Sequence, residues 1–205
     1  SLRFDESSSS HLTRTPSSAG NRKTWTWSGW IKTTTSSTYR ALIEGYAGTP
    51  AGANRTSFQL NNVGKLHILF DNGNSGQLLT SRQFRDPSSW FHVVLAVDTS
   101  QSTPANRVKI YVNGELLESG DYDTASYPSQ DYLTGINKNQ PHYINRVVDP
   151  KYGDWGAADI YLVDGLQLAA TDFGEFDSTT GVWNPIEYTG SYSGSAVGSG
   201  VVYSA

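Results

Sequence analysis

The chain has 205 residues, of which 37% are hydrophobic and 17% charged, with 20 glycines and 12 tyrosines; that balance suits a single turn-rich domain of aromatic strands and gives no reason for a second. A net charge of -4, with 15 basic residues scattered among 19 acidic ones, leaves no basic stripe to follow a phosphate backbone and excludes nucleic acid as an expected partner. The absence of cysteine excludes disulfides, thiolate catalysis and zinc ribbons, and no apolar run is long enough to insert in a membrane.

The chain opens on Ser1 without a basic-then-apolar leader and has no methionine, as expected of a processed product or a segment of a longer polypeptide. Short strands are predicted at Leu2–Phe4 and Leu12–Thr15, on either side of the serine-rich loop 7–10. From Thr24 to Lys32, Trp25, Trp27, Gly29 and Ile31 fall on one face and Thr24, Thr26, Ser28, Trp30 and Lys32 on the other, the period-two signature of a strand against a core. Beyond the Ser/Thr-rich loop 33–38, a strand is predicted over Tyr39–Gly45. Phe58–Leu60, the turn Asn61-Asn62-Val63-Gly64 and the alternation Leu66, Ile68, Phe70 predict a hairpin. Asp71-Asn72-Gly73-Asn74 then turns the chain toward a strand at Gln77–Ser81. Trp90–Asp98 carries the wholly apolar row Phe91, Val93, Leu95, Val97 and reads as a central strand. Val108, Ile110 and Val112 point one way before Asn113-Gly114, the type I′ hairpin signal, and Glu115–Leu117 returns. Segments 100–106 and 121–140 are expected as exposed loops, and His142–Val148 and Ala158–Val163 as the last strands. Residues 190–205, Gly/Ser-rich and uncharged, are expected as a tail or an arm against a neighbour, leaving 1–189 as the domain. No segment keeps a helical period. About a dozen short strands must split into two layers to bury their apolar faces, so the fold class is an all-β, two-sheet antiparallel jelly-roll sandwich.

Three passages carry a family resemblance: SLRFDESSSSHLTRTPSSAGNRKTWTWSGWIK at 1–32, the pair WFHVVLAVD at 90–98 and VKIYVNGELL at 108–117, and ADIYLVDGLQLAATDFGEFDSTTGVWNPIEYTG at 158–190. They resemble concanavalin A-like, laminin-G-like or pentraxin-like domains of the appendage and structural proteins of tailed bacteriophages. The residues after Tyr188 depart from that pattern. The resemblance implies a non-catalytic virion protein, either a capsid decoration or fibre or a tail appendage module. It would sit at the virion surface among other virion proteins as a homo-oligomer, with a trimer expected, and would attach to host-surface glycans. A fold of this kind also hosts lectins and hydrolases, so a calcium-dependent lectin outside a virion and a polysaccharide hydrolase or lyase stand as alternatives.

Enzymatic constellations are missing. A jelly-roll glycosidase needs two carboxylates flanking the scissile bond; the nearest string, Glu175-Phe176-Asp177-Ser178-Thr179-Thr180, has threonine where the last carboxylate should stand. No Gly-x-Ser-x-Gly elbow occurs, and His11, His67, His92 and His142 are dispersed, with no zinc spacing among them. No cofactor is expected unless it is calcium, for which Asp71 with Asn72, Asp121 with Asp123, and Asp149 are candidates, although such residues serve as readily in turns. For glycan binding, exposed rings beside amides and carboxylates are wanted. Tyr152, Asp154 and Trp155, with Tyr143 and Asn145 close by, are the expected ligand-binding residues; the competing structural role for Trp155 is a plug at one end of the sandwich. Trp30 and Tyr111, on outward strand faces, are expected to meet a neighbouring subunit.

Overall fold

The computed structural model describes residues 1–34, 38–48, 54–148, 150–191 and 201–203. In chain order the strands are β1 (Leu2–Phe4), β2 (Leu12–Arg14), β3 (Thr24–Thr33), β4 (Arg40–Gly45), β5 (Thr56–Leu60), β6 (Leu66–Phe70), β7 (Gln77–Thr80), β8 (Phe91–Asp98), β9 (Val108–Val112), β10 (Glu115–Leu116), β11 (Tyr122–Ser126), β12 (His142–Ile144), β13 (Trp155–Asp164), β14 (Gly174–Phe176), β15 (Trp183–Pro185) and β16 (Val201–Tyr203). One seven-stranded sheet runs β1-β13-β3-β8-β9-β10, with β16 also on β13, and a second runs β11-β7-β6-β5-β4-β12-β2. β14 and β15 form a separate ribbon. All pairings are antiparallel. This is the two-sheet sandwich that the alternation predicts. No helix among the described residues is long and apolar enough to cross a membrane.

Inward rows from the two sheets meet in one core. Leu162, Trp27, Leu95 and Ile110 are in register across four strands. They face Phe58, Leu60, Ile68 and Leu78 of the second sheet in a common cluster. Directly paired residues present their side chains to the same face, so the burial of one row commits the whole strand. Asn113 and Gly114 close the β9–β10 turn with φ of 49° and 87°, the positive values that this hairpin requires.

The opposite face of the first sheet is also covered. Residues 166–188 fold back over it and bury Val94, Val163, Phe173, Trp183 and Tyr188 against Trp30, Tyr111 and Tyr161. Trp30 and Tyr111, expected to face another subunit, therefore pack against the chain's own C-terminal trailer. Thr26 and Ser28, on the row assigned to the outward face, are fully buried for the same reason.

The stretch 121–140 is not a simple exposed loop. It begins as β11, and Thr134, Ile136, Asn137 and Gln140 are buried at one end of the sandwich. Their side chains satisfy the irregular backbone there: Thr134 Oγ1 accepts the Trp25 indole N–H at 3.0 Å and donates to the Arg22 carbonyl, while Gln140 Nε2 donates to the carbonyls of Asn54 and Gly135. Buried loop backbone is tolerated only with such partners.

Candidate functional site

The outer face of the second sheet carries the polar chemistry. Register places Thr13, Tyr143, Glu44, Ser57, Leu69 and Gln77 in one row across it and Ala41, Gln59, His67 and Leu79 in the next. Glu44 reaches this face because β4 contains a bulge: pairing slips between Ala41 and Ile43, so Leu42 is an extra residue. Leu42 and Ile43 both enter the core, and every later side chain of β4 changes face.

Glu44 is buried and held on all sides. Its Oε1 accepts from Arg55 Nε at 3.1 Å and from the Val148 amide at 2.9 Å, and its Oε2 accepts from Arg55 Nη2 at 2.9 Å and Ser57 Oγ at 2.7 Å. Arg55 Nη1 donates to Asn72 Oδ1. The Coulomb attraction within the pair and the hydrogen bonds from Ser57 and the Val148 amide offset the desolvation of the buried charges. Beside it lies a groove of about 340 Å³ lined by Tyr39, Arg55, Gln59, Asn61, His67, Leu69, Asn72, Val147, Val148 and Lys151. His67 Nε2 donates to Gln77 Oε1 at 2.9 Å, which leaves Nδ1 as an acceptor. Burial holds the His67 pKa below the ordinary value, against the opposing pull of the Gln77 hydrogen bond. Lys151 Nζ lies 5.5 Å over the Tyr39 ring.

One wall of the groove is the turn that follows β12, and the residues expected to bind glycan are spread around that turn. Asn145 is fully buried and left-handed, with φ of 61°. Its Oδ1 accepts from the Gly153 amide and the Trp155 indole, and its Nδ2 donates to the carbonyls of Gly153 and Ser10. With its amide fully used, Asn145 staples residues 145–153 into place. Trp155 is 1% exposed and stacks on Phe4 at 4.9 Å, the plug position. Asp154 Oδ1 accepts from the Glu6 amide. Tyr143 and Tyr152 remain half-buried on the surface with His11 between them, at 6.4 and 5.5 Å, and the Arg146 guanidinium lies 4.3 Å over the Tyr143 ring. Three of the five expected residues thus reach the surface, and two build the turn beneath. Glu44, Arg55 and Gln59 are not singled out by the sequence, which offers His67 only as one of four dispersed histidines; alternating polar residues opposite the Phe58 and Ile68 rows are the only trace they leave.

The calcium candidates do not converge. Asp71 and Asn72 lie in the β6–β7 turn, and Asn72 Oδ1 is taken by Arg55. Asp121 and Asp123 lie at the far end of the same sheet: Asp121 Oδ2 caps the Glu118 amide and Asp123 pairs with Lys65. Asp149 lies outside the described residues. Among the described residues no cluster of three His, Asp or Glu side chains is arranged to hold a metal ion.

A two-sheet antiparallel sandwich of this kind defines a concanavalin A-like jelly-roll domain. The chain belongs to the concanavalin A-like lectin/glucanases superfamily, whose laminin G profile matches residues 6–147. Among solved structures it is similar to domains LG4-5 of the mouse laminin alpha1 chain, with 17% identity and a TM-score of 0.52, covering 91% of this chain and 44% of that one. It is also similar to a candidate carbohydrate binding protein from Bacteroides ovatus, with 15% identity and a TM-score of 0.50, covering 82% of this chain and 44% of that one. At such identities the likeness is one of fold. The chain spans less than half the length of either structure. No curated protein matches it.

Proposed function

We propose that this chain is a non-catalytic carbohydrate-binding domain that holds a saccharide in the groove on the outer face of β4–β6. One observation carries this reading: the groove is lined by Gln59 and His67, the imidazole held by Gln77, and is flanked by the half-buried ring of Tyr39. Amides beside an imidazole in a fixed pose suit sugar hydroxyls, and a tyrosine face suits sugar C–H groups. The described lining residues include no carboxylate, whereas most glycoside hydrolases use a pair of them. The setting follows from the sequence resemblance alone: a homotrimeric module of a tailed-phage capsid decoration, fibre or tail appendage, with a host-surface glycan as ligand.

A glycan array followed by calorimetry on the strongest sugar tests the reading. Binding that falls about tenfold in Gln59→Ala and Tyr39→Ala, with the thermal midpoint kept, supports it. Binding indifferent to both variants, or a shortened polymer after incubation, overturns it. Sedimentation of the chain away from purified virions would remove the phage setting.

A further inference from the structure

A second cleft, of about 290 Å³, lies between the segment that precedes β8 and the β9–β10 turn, lined by Arg82, Phe84, Arg85, Asp86, Trp90 and Asn113 among others. Its two guanidiniums are held by contacts other than carboxylates. Arg82 Cζ sits 5.0 Å over the Phe84 ring, which stacks on Phe91. Arg85 Nε donates to the Val63 carbonyl at 3.4 Å, and its terminal nitrogens make no hydrogen bond among the described residues. The one carboxylate of the cleft is engaged by its own turn: Asp86 Oδ1 accepts from the Ser88 amide and hydroxyl and Oδ2 from Ser89 Oγ. Arg82 and Arg85 form no ion pair among the described residues. The chain as a whole is at -4, whereas two guanidiniums against the single Asp86 carboxylate leave this concavity locally positive. Beside them Trp90 is 37% exposed, and it has room to lie flat because position 156 is glycine: a Cβ there would come within 3.2 Å of its Cη2.

We infer that this cleft binds an anionic saccharide, with Arg82 and Arg85 gripping its carboxylate or sulfate group and Trp90 stacking on the ring. Planar guanidinium forks match both oxyanions. The site shares no lining residue with the sheet-face groove and does not depend on it.

The test is calorimetry on the full chain at low salt with three probes: oligogalacturonate, its fully methyl-esterified form, and a dextran sulfate oligosaccharide. Inorganic sulfate serves as the control. At least one acidic probe should bind about tenfold more tightly than the neutral ester, with raised salt weakening it. Arg82→Gln with Arg85→Gln, and separately Trp90→Ala, should each remove about tenfold of that affinity while the melting temperature and the Gln59-dependent binding stay unchanged. A carboxylate-only or sulfate-only response identifies which oxyanion the pair selects. The inference is overturned if neither acidic probe binds, if the ester binds as well as the acid, if inorganic sulfate binds as tightly as the saccharides, or if the arginine variants bind normally.

Discussion

Trp183 donates its indole N–H to Nδ1 of His92 at 3.2 Å, and the two rings stack with centroids 6.0 Å apart. An indole nitrogen can only donate, so Nδ1 is unprotonated and the neutral ring carries its proton on Nε2, toward Ser28 Oγ at 2.8 Å. His92 thereby joins the C-terminal trailer to the first sheet in a contact that has no place for a second proton. Burial lowers its pKa to about 4.

Acid should weaken the fold before the carboxylates titrate. His142 resembles His92: the Asn137 amide donates to its Nε2, its Nδ1 donates to the Gln140 carbonyl, and burial lowers its pKa to about 4. Both native pKa values lie below the unfolded value of 6.5, so the unfolded chain takes up protons first as pH falls. The histidines' contribution is full above the unfolded value, declines as pH drops from 6.5 toward 4, and levels off below. Each histidine accounts for a loss of up to about 3 kcal/mol. Urea titrations across that window should show the slope, and His92→Gln should remove roughly half of it.

Trp183→Ala should cost about 3–5 kcal/mol, the range for deleting a large buried aromatic. It should also uncover Trp30 and Tyr111, so the variant should bind the dye ANS at neutral pH while far-ultraviolet circular dichroism keeps its strand signal. A variant that melts like the parent would mean that the trailer adds little to the sandwich.

The Glu44–Arg55 pair predicts an asymmetric cycle. Glu44→Leu or Arg55→Met alone leaves a buried charge without its counterion and should cost about 3–5 kcal/mol, whereas the double replacement should recover much of that loss. A double-mutant cycle by chemical denaturation measures the coupling, and additive costs would contradict the geometry.

Asn145→Ala should loosen the groove wall. It leaves the Gly153 amide and the Trp155 indole without their acceptor, each worth about 1–3 kcal/mol when buried, and places alanine at a φ of 61°, which favours Asn or Gly. Melting should fall, and saccharide binding should weaken more than in Tyr143→Ala, since the staple also orients Val147, Val148 and Lys151.

The strand pattern was legible wherever one row was apolar and its alternate was not, as in Phe91, Val93, Leu95 and Val97. Legibility failed at β4. There Ala41, Leu42 and Ile43 offer no alternation that marks Leu42 as an extra residue, and without the bulge Glu44 would be assigned to the same face as Leu42. It failed again after Ile144, where the expected strand stops three residues into its predicted span because Asn145 turns left-handed. Aromatic and amide residues at 143–155 stand out in the sequence, yet their division into surface rings and buried supports depends on which carbonyls and indoles surround Asn145. No local pattern encodes that.

By itself the sequence determined the two-layer architecture, because period-two burial is a local property that each strand carries in its own residues. Only the tertiary structure decided that the trailer covers the outward tryptophan of β3, that Arg55 meets Glu44, and that the loop before β8 brings two unpaired arginines beside Trp90. Those contacts join residues distant in the chain, and their energy exists only once bulges, turns and register have set which faces meet.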